Sequence, residues 1–466
     1  MKACFFMPLM PTKDPKRPVR SLSRHLTPAR IFILSFAGLV LAGAVLLWLP
    51  VASTKGLRFV DALFMSASAV CVTGLATVDV GTDLTTAGQV ILIGLFQFGG
   101  LGIITFSAFL FGIMGRGISF KGREIVQSTF LHTPRRDFFF ILKSVILSTL
   151  IIESVGVLLL FIRFSQEFPT SKALYYAVFH AISAFNNCGF SLFPDSFTRY
   201  QGDLLLNFTV LTLIILGGIG FVVHHEVFAR LRDGNARLSL HSRIVLITTA
   251  CLILSGAALF WLFEQQTILR GLSPLTQVLV SLFQSITPRT AGFNTVDIGQ
   301  LTNATILLLI VLMFIGGSPG STAGGIKTTS FALLLLMMWN RWRGSEEVTV
   351  SNRTVPKELI GRTLSITFAS MLSVFFIVAV VMVAGHVESG PQERQLFVEY
   401  IFETVSAFGT VGLSMGVTAK LTDIQKLLIA FMMFAGRVGP LTLAFSLSFR
   451  EGKKSVVYAE ETVMVG

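Results

Sequence analysis

The chain has 466 residues, of which 53% are hydrophobic and only 13% charged, with a formal net charge of +12. A soluble domain would carry nearly twice that charged fraction, so the composition excludes an ordinary soluble enzyme. The positive balance reads as membrane topology and not as a nucleic-acid footprint.

The chain opens on a basic, proline-bearing arm, 1–30, with seven Lys or Arg residues against one acid, Asp14. The arm lacks an apolar core followed by a small-residue cleavage site, so it does not read as a signal peptide. Its charge places it in the cytoplasm. Eight long apolar stretches follow, at 31–49, 89–114, 138–164, 204–228, 244–263, 305–338, 359–384 and 427–449. Each is long enough to cross roughly 30 Å of hydrocarbon as a helix. With eight crossings, the stretches 116–143, 230–243, 341–362 and 450–466 return to the side of the arm, and together with it they hold 25 of the 37 basic residues. Both termini are therefore expected in the cytoplasm. Four scattered cysteines, Cys4, Cys71, Cys188 and Cys251, give neither a disulfide framework nor a zinc spacing.

Between consecutive long stretches lie four short amphipathic ones, at 59–76, 173–191, 276–294 and 395–414. Each ends in small residues around one glycine. Aligned on it, they read Val72-Thr73-Gly74-Leu75, Asn187-Cys188-Gly189-Phe190, Thr290-Ala291-Gly292-Phe293 and Thr410-Val411-Gly412-Leu413. A second landmark starts 25, 28, 24 and 24 residues later: Gly99-Gly100-Leu101-Gly102, Gly217-Gly218-Ile219-Gly220, Gly316-Gly317-Ser318-Pro319-Gly320 and Gly436-Arg437-Val438-Gly439. Two landmarks at one offset in four copies indicate internal duplication. The expected fold is an all-α membrane protein of four helix–pore-loop–helix units around a central pore. The units are expected at 31–115, 138–230, 243–340 and 359–449, with a tail at 450–466. Ordinary amphipathic loops would not explain the shared glycine. Irregular backbone at membrane depth is tolerated only where protein or a water-filled cavity surrounds it.

Such loops suit a monovalent cation, which must exchange its water shell for other oxygens on entering a bilayer. Rings of backbone carbonyls do this in potassium channels. Glycine allows the positive φ that turns carbonyls toward an axis, and the C-terminal ends of the short helices add partial negative charge. The candidate filter residues are Val72, Thr73, Gly74, Asn187, Cys188, Gly189, Thr290, Ala291, Gly292, Thr410, Val411 and Gly412. With one glycine per loop, the filter should be shorter and less selective than a full TVGYG. Asp79, Asp195 and Asp297 lie five or six residues beyond their glycines. They are either cation-concentrating charges at the mouth or plain solvated ones.

The third inner stretch carries five glycines and a proline within 316–325, which cannot remain a regular helix. It is not a phosphate-binding loop, because Ile326 intervenes before Lys327 and no strand precedes it. Arg437 lies within the fourth inner stretch, where a charge must face a cavity or a partner. It would be either a barrier to cations, or an internal ion-pair partner or carbonyl clamp for the 316–329 loop. His224-His225-Glu226 lacks metal-site spacing and reads as interfacial. Glu153 reads as a packed polar contact in preference to a proton relay. No catalytic dyad or soluble catalytic domain points to an enzyme or a receptor.

These motifs, with the Arg289-Thr290-Ala291-Gly292-Phe293-Asn294 and Gly436–Thr442 strings, resemble the Trk/Ktr/HKT superfamily of potassium transporters. Within it they are most similar to the KtrB branch, the membrane subunits of bacterial Ktr potassium-uptake systems. The resemblance covers nearly the whole chain after residue 30. TrkH-type proteins usually carry two further N-terminal helices where this chain has its basic arm. The resemblance implies several things. Gly74, where sodium-selective plant relatives have serine, favours potassium. Cys71 departs from the usual threonine, with little effect if only its carbonyl faces the ion. The gate would comprise Gly316, Gly317, Ser318, Pro319, Gly320, Ser321, Thr322, Ala323, Gly324, Gly325, Lys327 and Arg437. The transported ion would be potassium, with sodium dependence open and no organic cofactor in this chain. The alternative is a proton-coupled Trk-type symporter subunit. The implied setting is the bacterial inner membrane, as a homodimer docked on a cytosolic KtrA-type ring of RCK domains that binds ATP or ADP. The basic stretches 116–143 and 230–243 could dock that ring or bind anionic lipid.

Overall fold

The computed structural model describes residues 28–114, 138–345, 347–350, 353–385, 391–439 and 442–443. Most of the basic arm, most of the 116–143 stretch and all of the 450–466 tail lie outside the described residues.

The first unit comprises α1 (Pro28–Trp48), α2 (Phe59–Val70) and α3 (Thr86–Met114). The second holds α4 (Phe138–Phe164), α5 (Thr170–Phe185), α6 (Leu204–Ile219) and α7 (Phe221–Arg232). In the third are α8 (Leu240–Glu264), α9 (Pro274–Ile286), α10 (Asn303–Phe314) and α11 (Thr328–Trp342). A two-residue-per-strand antiparallel hairpin, β1 (Thr349–Val350) and β2 (Arg353–Thr354), leads to the fourth, with α12 (Lys357–Ala384), α13 (Pro391–Gly409) and α14 (Asp423–Val438). Side-chain caps start several helices. Ser239 caps α8, Ser273 caps α9 ahead of Pro274, Thr302 caps α10, and Thr422 with Gln425 makes a capping box on α14.

Among the described residues, three segments are each long and apolar enough to cross a membrane alone: Lys143–Phe164, Leu240–Glu264 and Lys357–Ala384. They are the first helices of units two, three and four. Leu147, Leu150 and Leu158 on α4 and Phe368, Phe375 and Phe376 on α12 are exposed, as surfaces facing hydrocarbon require.

The inner helices depart from the sequence expectation in two places. The stretch 204–228, expected as one helix, breaks at Gly220 (φ 93°) and turns by 106° into α7. The cause is a contact from another unit: the Phe221 amide donates to the Gly320 carbonyl at 3.1 Å. The stretch 427–449 likewise ends its helix at Val438, before Gly439 (φ 91°), so Arg437 is penultimate in α14 and not mid-helix. Both breaks fall on the last glycine of the second landmark. The third inner stretch divides between α10 and α11, as its glycines require.

The first glycine of the landmark has a packing cause. A Cβ on Gly99 would strike the carbonyl of Val70, one on Gly217 that of Phe185, and one on Gly436 that of Phe408. Each of these carbonyls belongs to the residue four before a loop glycine. The inner helix therefore presses its bare backbone on the C-terminal end of the short helix, which fixes where that end points.

The ring of units closes between the fourth and the first. Lys426 on α14 donates to Asp61 on α2 at 2.7 Å, and Arg58 bonds both Asp61 and Asp423 at 2.9 Å. Lys426 is only 5% exposed. Lys426→Met should cost roughly 3 kcal/mol, the low end for a broken buried pair, because Arg58 still faces Asp61. Thermal unfolding in detergent should show a lowered Tm, partly restored by adding Asp61→Asn. An unchanged Tm for the single variant would contradict this reading of the closure.

Candidate pore and gate

The short helices α2, α5, α9 and α13 each hand over to an irregular loop. Val72, Asn187, Thr290 and Thr410 take φ of 57°, 59°, 74° and 49°, and the glycines two residues on take 94°, 76°, 78° and 93°. A left-handed φ in Val or Thr is strained, and the same strain at one position in four copies marks a functional constraint. Left-handed residues separated by one of negative φ aim successive carbonyls to one side.

The four loops close into one ring. A Cβ on Gly74 would meet the carbonyl of Cys188, one on Gly189 that of Ala291, one on Gly292 that of Val411, and one on Gly412 that of Thr73. Each loop thus packs its glycine on the next loop's backbone, in chain order. Eight of the twelve candidate filter residues make these contacts, and the other four, Val72, Asn187, Thr290 and Thr410, are the left-handed residues two before the glycines.

Hydroxyls on the short helices hold the loops from behind. The amides of Thr73, Cys188 and Val411 donate to the carbonyls of Ser68, Ser183 and Ser406, each at 2.8 Å, and Ala291 donates to Thr287 at 2.9 Å. The Ser68 and Ser406 hydroxyls also accept from the Gly74 and Gly412 amides at 3.0 and 3.1 Å. Ser183 and Thr287 instead donate to the carbonyls of Phe190 and Phe293. Sequence reasoning passed over these four residues. Their signal is a hydroxyl five or six positions before each loop glycine.

Beyond the glycines opens a cavity of about 540 Å³, floored by Gly74, Gly189, Gly292 and Gly412. Of the three aspartates singled out by spacing, only Asp79 lines it; Asp83, which spacing did not suggest, lines it too. Asp195 accepts from Thr198, and Asp297 caps its own turn at Gly299. Cys71 and Cys188 are fully buried free thiols, so no thiol of the ring opens onto this cavity.

The loop between α10 and α11 packs against the second and fourth units and is linked to the first through Arg437. Ile315 and Ile326 pair as its neck, and Thr328 donates to Gly317 at 3.0 Å. Inside, Ser321 donates to Ser318 at 2.7 Å and Lys327 to Ala323 at 2.8 Å. Toward the second unit, Ser318 donates to Gly218 at 3.0 Å and Thr322 to Gly217 at 3.3 Å. Toward the fourth, Gly324 packs on the side chain of Thr410, the strained residue of that unit's loop. The buried Arg437 donates to the Thr322 carbonyl, to Gly99 at 2.6 Å and to Gly100 at 3.2 Å, which brings in the first unit. Its partners are main-chain carbonyls, the geometry of a clamp and not of an ion pair.

Glu153 accepts from Gln97 and Asn186 at 3.3 and 3.2 Å, a packed polar contact behind the second loop. Glu226 accepts from the Ser239 amide at 2.9 Å. Among the described residues no three His, Cys, Asp or Glu side chains gather as metal ligands.

Comparison with known proteins gives this chain a family. The profile of TrkH, described as a cation transport protein, matches residues 23–455. The chain belongs to the TrkH family. It is 39% identical over 439 residues to Ktr system potassium uptake protein B of Vibrio alginolyticus, covering 94% of each chain. With the protein of the same name from Bacillus subtilis (strain 168) it shares 38% identity, over 95% of this chain and 97% of that one. The Enterococcus hirae potassium/sodium uptake protein NtpJ is 35% identical, over 96% and 99%. Among solved structures, the potassium transporter TrkH from Vibrio parahaemolyticus superposes with a TM-score of 0.69, over 92% of this chain and 87% of that one. At 20% identity that likeness establishes the all-α transporter fold of this TrkH-family chain.

Proposed function

We propose that this TrkH-family chain is the potassium-translocating subunit of a Ktr-type uptake system, acting as a channel-like pathway in the bacterial inner membrane with both termini cytoplasmic. The observation that carries the reading is the closed ring of glycine-on-carbonyl contacts with the same left-handed residue in all four loops. Full-length similarity to two Ktr potassium uptake proteins supports the choice of ion and system.

A cation leaves bulk water in the 540 Å³ vestibule beside Asp79 and Asp83. It then exchanges water for the carbonyls of 72–74, 187–189, 290–292 and 410–412, which replace the hydration shell. Below the ring the 316–327 loop, held by Arg437, closes the path. The four units serve as the pore repeats, at the bounds expected from the sequence. The chain works as a homodimer on a cytosolic ring of KtrA-type RCK subunits, which supplies the ATP or ADP sensing. Potassium is the transported cation, with sodium as a coupled or competing ion.

Two experiments test this. Expression in a bacterium stripped of potassium uptake should restore growth at limiting potassium, and no rescue by a chain that reaches the membrane would refute the proposal. Co-expression with a KtrA-type partner should give a co-purifying complex whose flux in liposomes changes between ATP and ADP. Full, nucleotide-indifferent flux would remove the partner and leave the pore assignment standing.

A further inference from the structure

Three of the four short helices carry a fully buried polar side chain one turn or more behind the loop, and each reaches the same place. His180 Nε2 lies 3.1 Å from the Ser191 hydroxyl, Gln284 donates to the Thr295 hydroxyl at 3.4 Å, and Glu403 accepts from the Ser414 hydroxyl at 2.8 Å. The separation is eleven residues each time. Each hydroxyl sits two or three residues past a loop glycine, on the limb that leaves the ring. Glu403 also accepts from Thr418, and His180 accepts from the Leu192 amide at 3.3 Å. The tie runs on into the vestibule turn: the amides of Phe193 and Gly416 donate to Ser191 and Ser414, both at 3.0 Å. In the first unit the corresponding positions are Met65 and Ala76, which cannot make the bond.

Burying a carboxylate, an imidazole and an amide in the membrane-embedded core is costly. Helix packing does not need them, because Met65 fills the same place in the first unit. What the ties accomplish is positional: they hold the outgoing limb against the short helix, and so hold the adjacent glycine carbonyl at a fixed distance from the axis. We propose that His180, Gln284 and Glu403 are positioning residues for ion discrimination, each setting its loop's carbonyls through the hydroxyl eleven residues on. The inference rests on the reading of the four loops as a potassium filter.

The test is the potassium-to-sodium flux ratio of the purified chain in liposomes. Glu403→Leu should lower the ratio about tenfold, which corresponds to ~1.4 kcal/mol of lost discrimination. Ser414→Ala removes only the donor, tolerates folding better, and should lower the ratio in the same direction. Glu403→Gln, which can still accept from Ser414, should keep the ratio near that of the unaltered chain. Lys426→Met, destabilised where α14 meets Asp61 on α2 and not at a filter loop, should leave the ratio unchanged, so a general loosening is separated from a loss of positioning. Unchanged ratios in both Glu403→Leu and Ser414→Ala, or an unchanged ratio in Ser414→Ala if Glu403→Leu fails to fold, would overturn the inference. If Gly74→Ser shifts the ratio while these do not, only the ties are refuted. If Gly74→Ser also leaves it unmoved, the filter reading fails as well.

Discussion

Exchanging Gly74 for serine is expected to remove most of the preference for potassium over sodium, by a factor on the order of tenfold or more. Gly74 has φ 94° and its missing Cβ faces the Cys188 carbonyl. A side chain there meets two costs at once. A left-handed conformation costs a residue with a Cβ roughly 1–2 kcal/mol, and the Cβ overlaps the Cys188 oxygen, which belongs to the proposed filter. The chain can relieve both only by moving the first or second loop, which widens the ring on one side. A hydroxyl then competes with carbonyls for the ion, and size discrimination weakens. Competition of sodium against potassium uptake measures the effect. An unchanged preference in a correctly inserted variant would contradict the proposed filter.

Removing residues 318–324 of the internal loop, or replacing Arg437 with alanine, should raise basal flux about tenfold or more. The loop is held by backbone bonds to Gly217 and Gly218 and by the Arg437 clamp on Thr322, Gly99 and Gly100. A charge-assisted hydrogen bond contributes roughly 1.5–3 kcal/mol. Losing the equivalent of one shifts a closed-to-open equilibrium by about tenfold. Arg437→Lys separates the two roles of the charge. Lysine keeps the positive charge but loses the fork that spans three carbonyls. A clamp predicts that Arg437→Lys leaks nearly as much as Arg437→Ala, whereas a pure barrier predicts that it stays closed. If the deletion and Arg437→Ala both insert and leave flux at or below that of the unaltered chain, the proposed gate is wrong.

The sequence carried the fourfold repeat because each landmark answers a backbone demand. The loop glycines are forced by positive φ next to a neighbour's carbonyl, and Gly99, Gly217 and Gly436 by contact with a helix-end carbonyl. Such positions leave a residue signature with no alignment needed. The broken third helix was legible for the same reason, through the glycines and proline of 316–325. The bend at Gly220 was not, since 204–228 has no proline and reads as one long mostly apolar stretch, and its break depends on Gly320 from another unit. Arg437 stood out as an intramembrane charge, but its partners are main-chain oxygens of residues distant in sequence, so clamp and barrier looked alike. The braces from His180, Gln284 and Glu403 were hidden because three different residue types do one job. Asp195 and Asp297 show the opposite case, where similar spacing led to local turn caps instead of a vestibule lining.

The central claim is that one chain folds four loops into a potassium-selective ring. It is tested most directly by measuring potassium and sodium fluxes through the purified protein in liposomes, using the 318–324 deletion so that the loop does not limit flow. The account predicts passive flux that favours potassium and that loses this preference on adding Gly74→Ser. Equal potassium and sodium flux before that substitution, or no cation flux from correctly inserted protein, would contradict it.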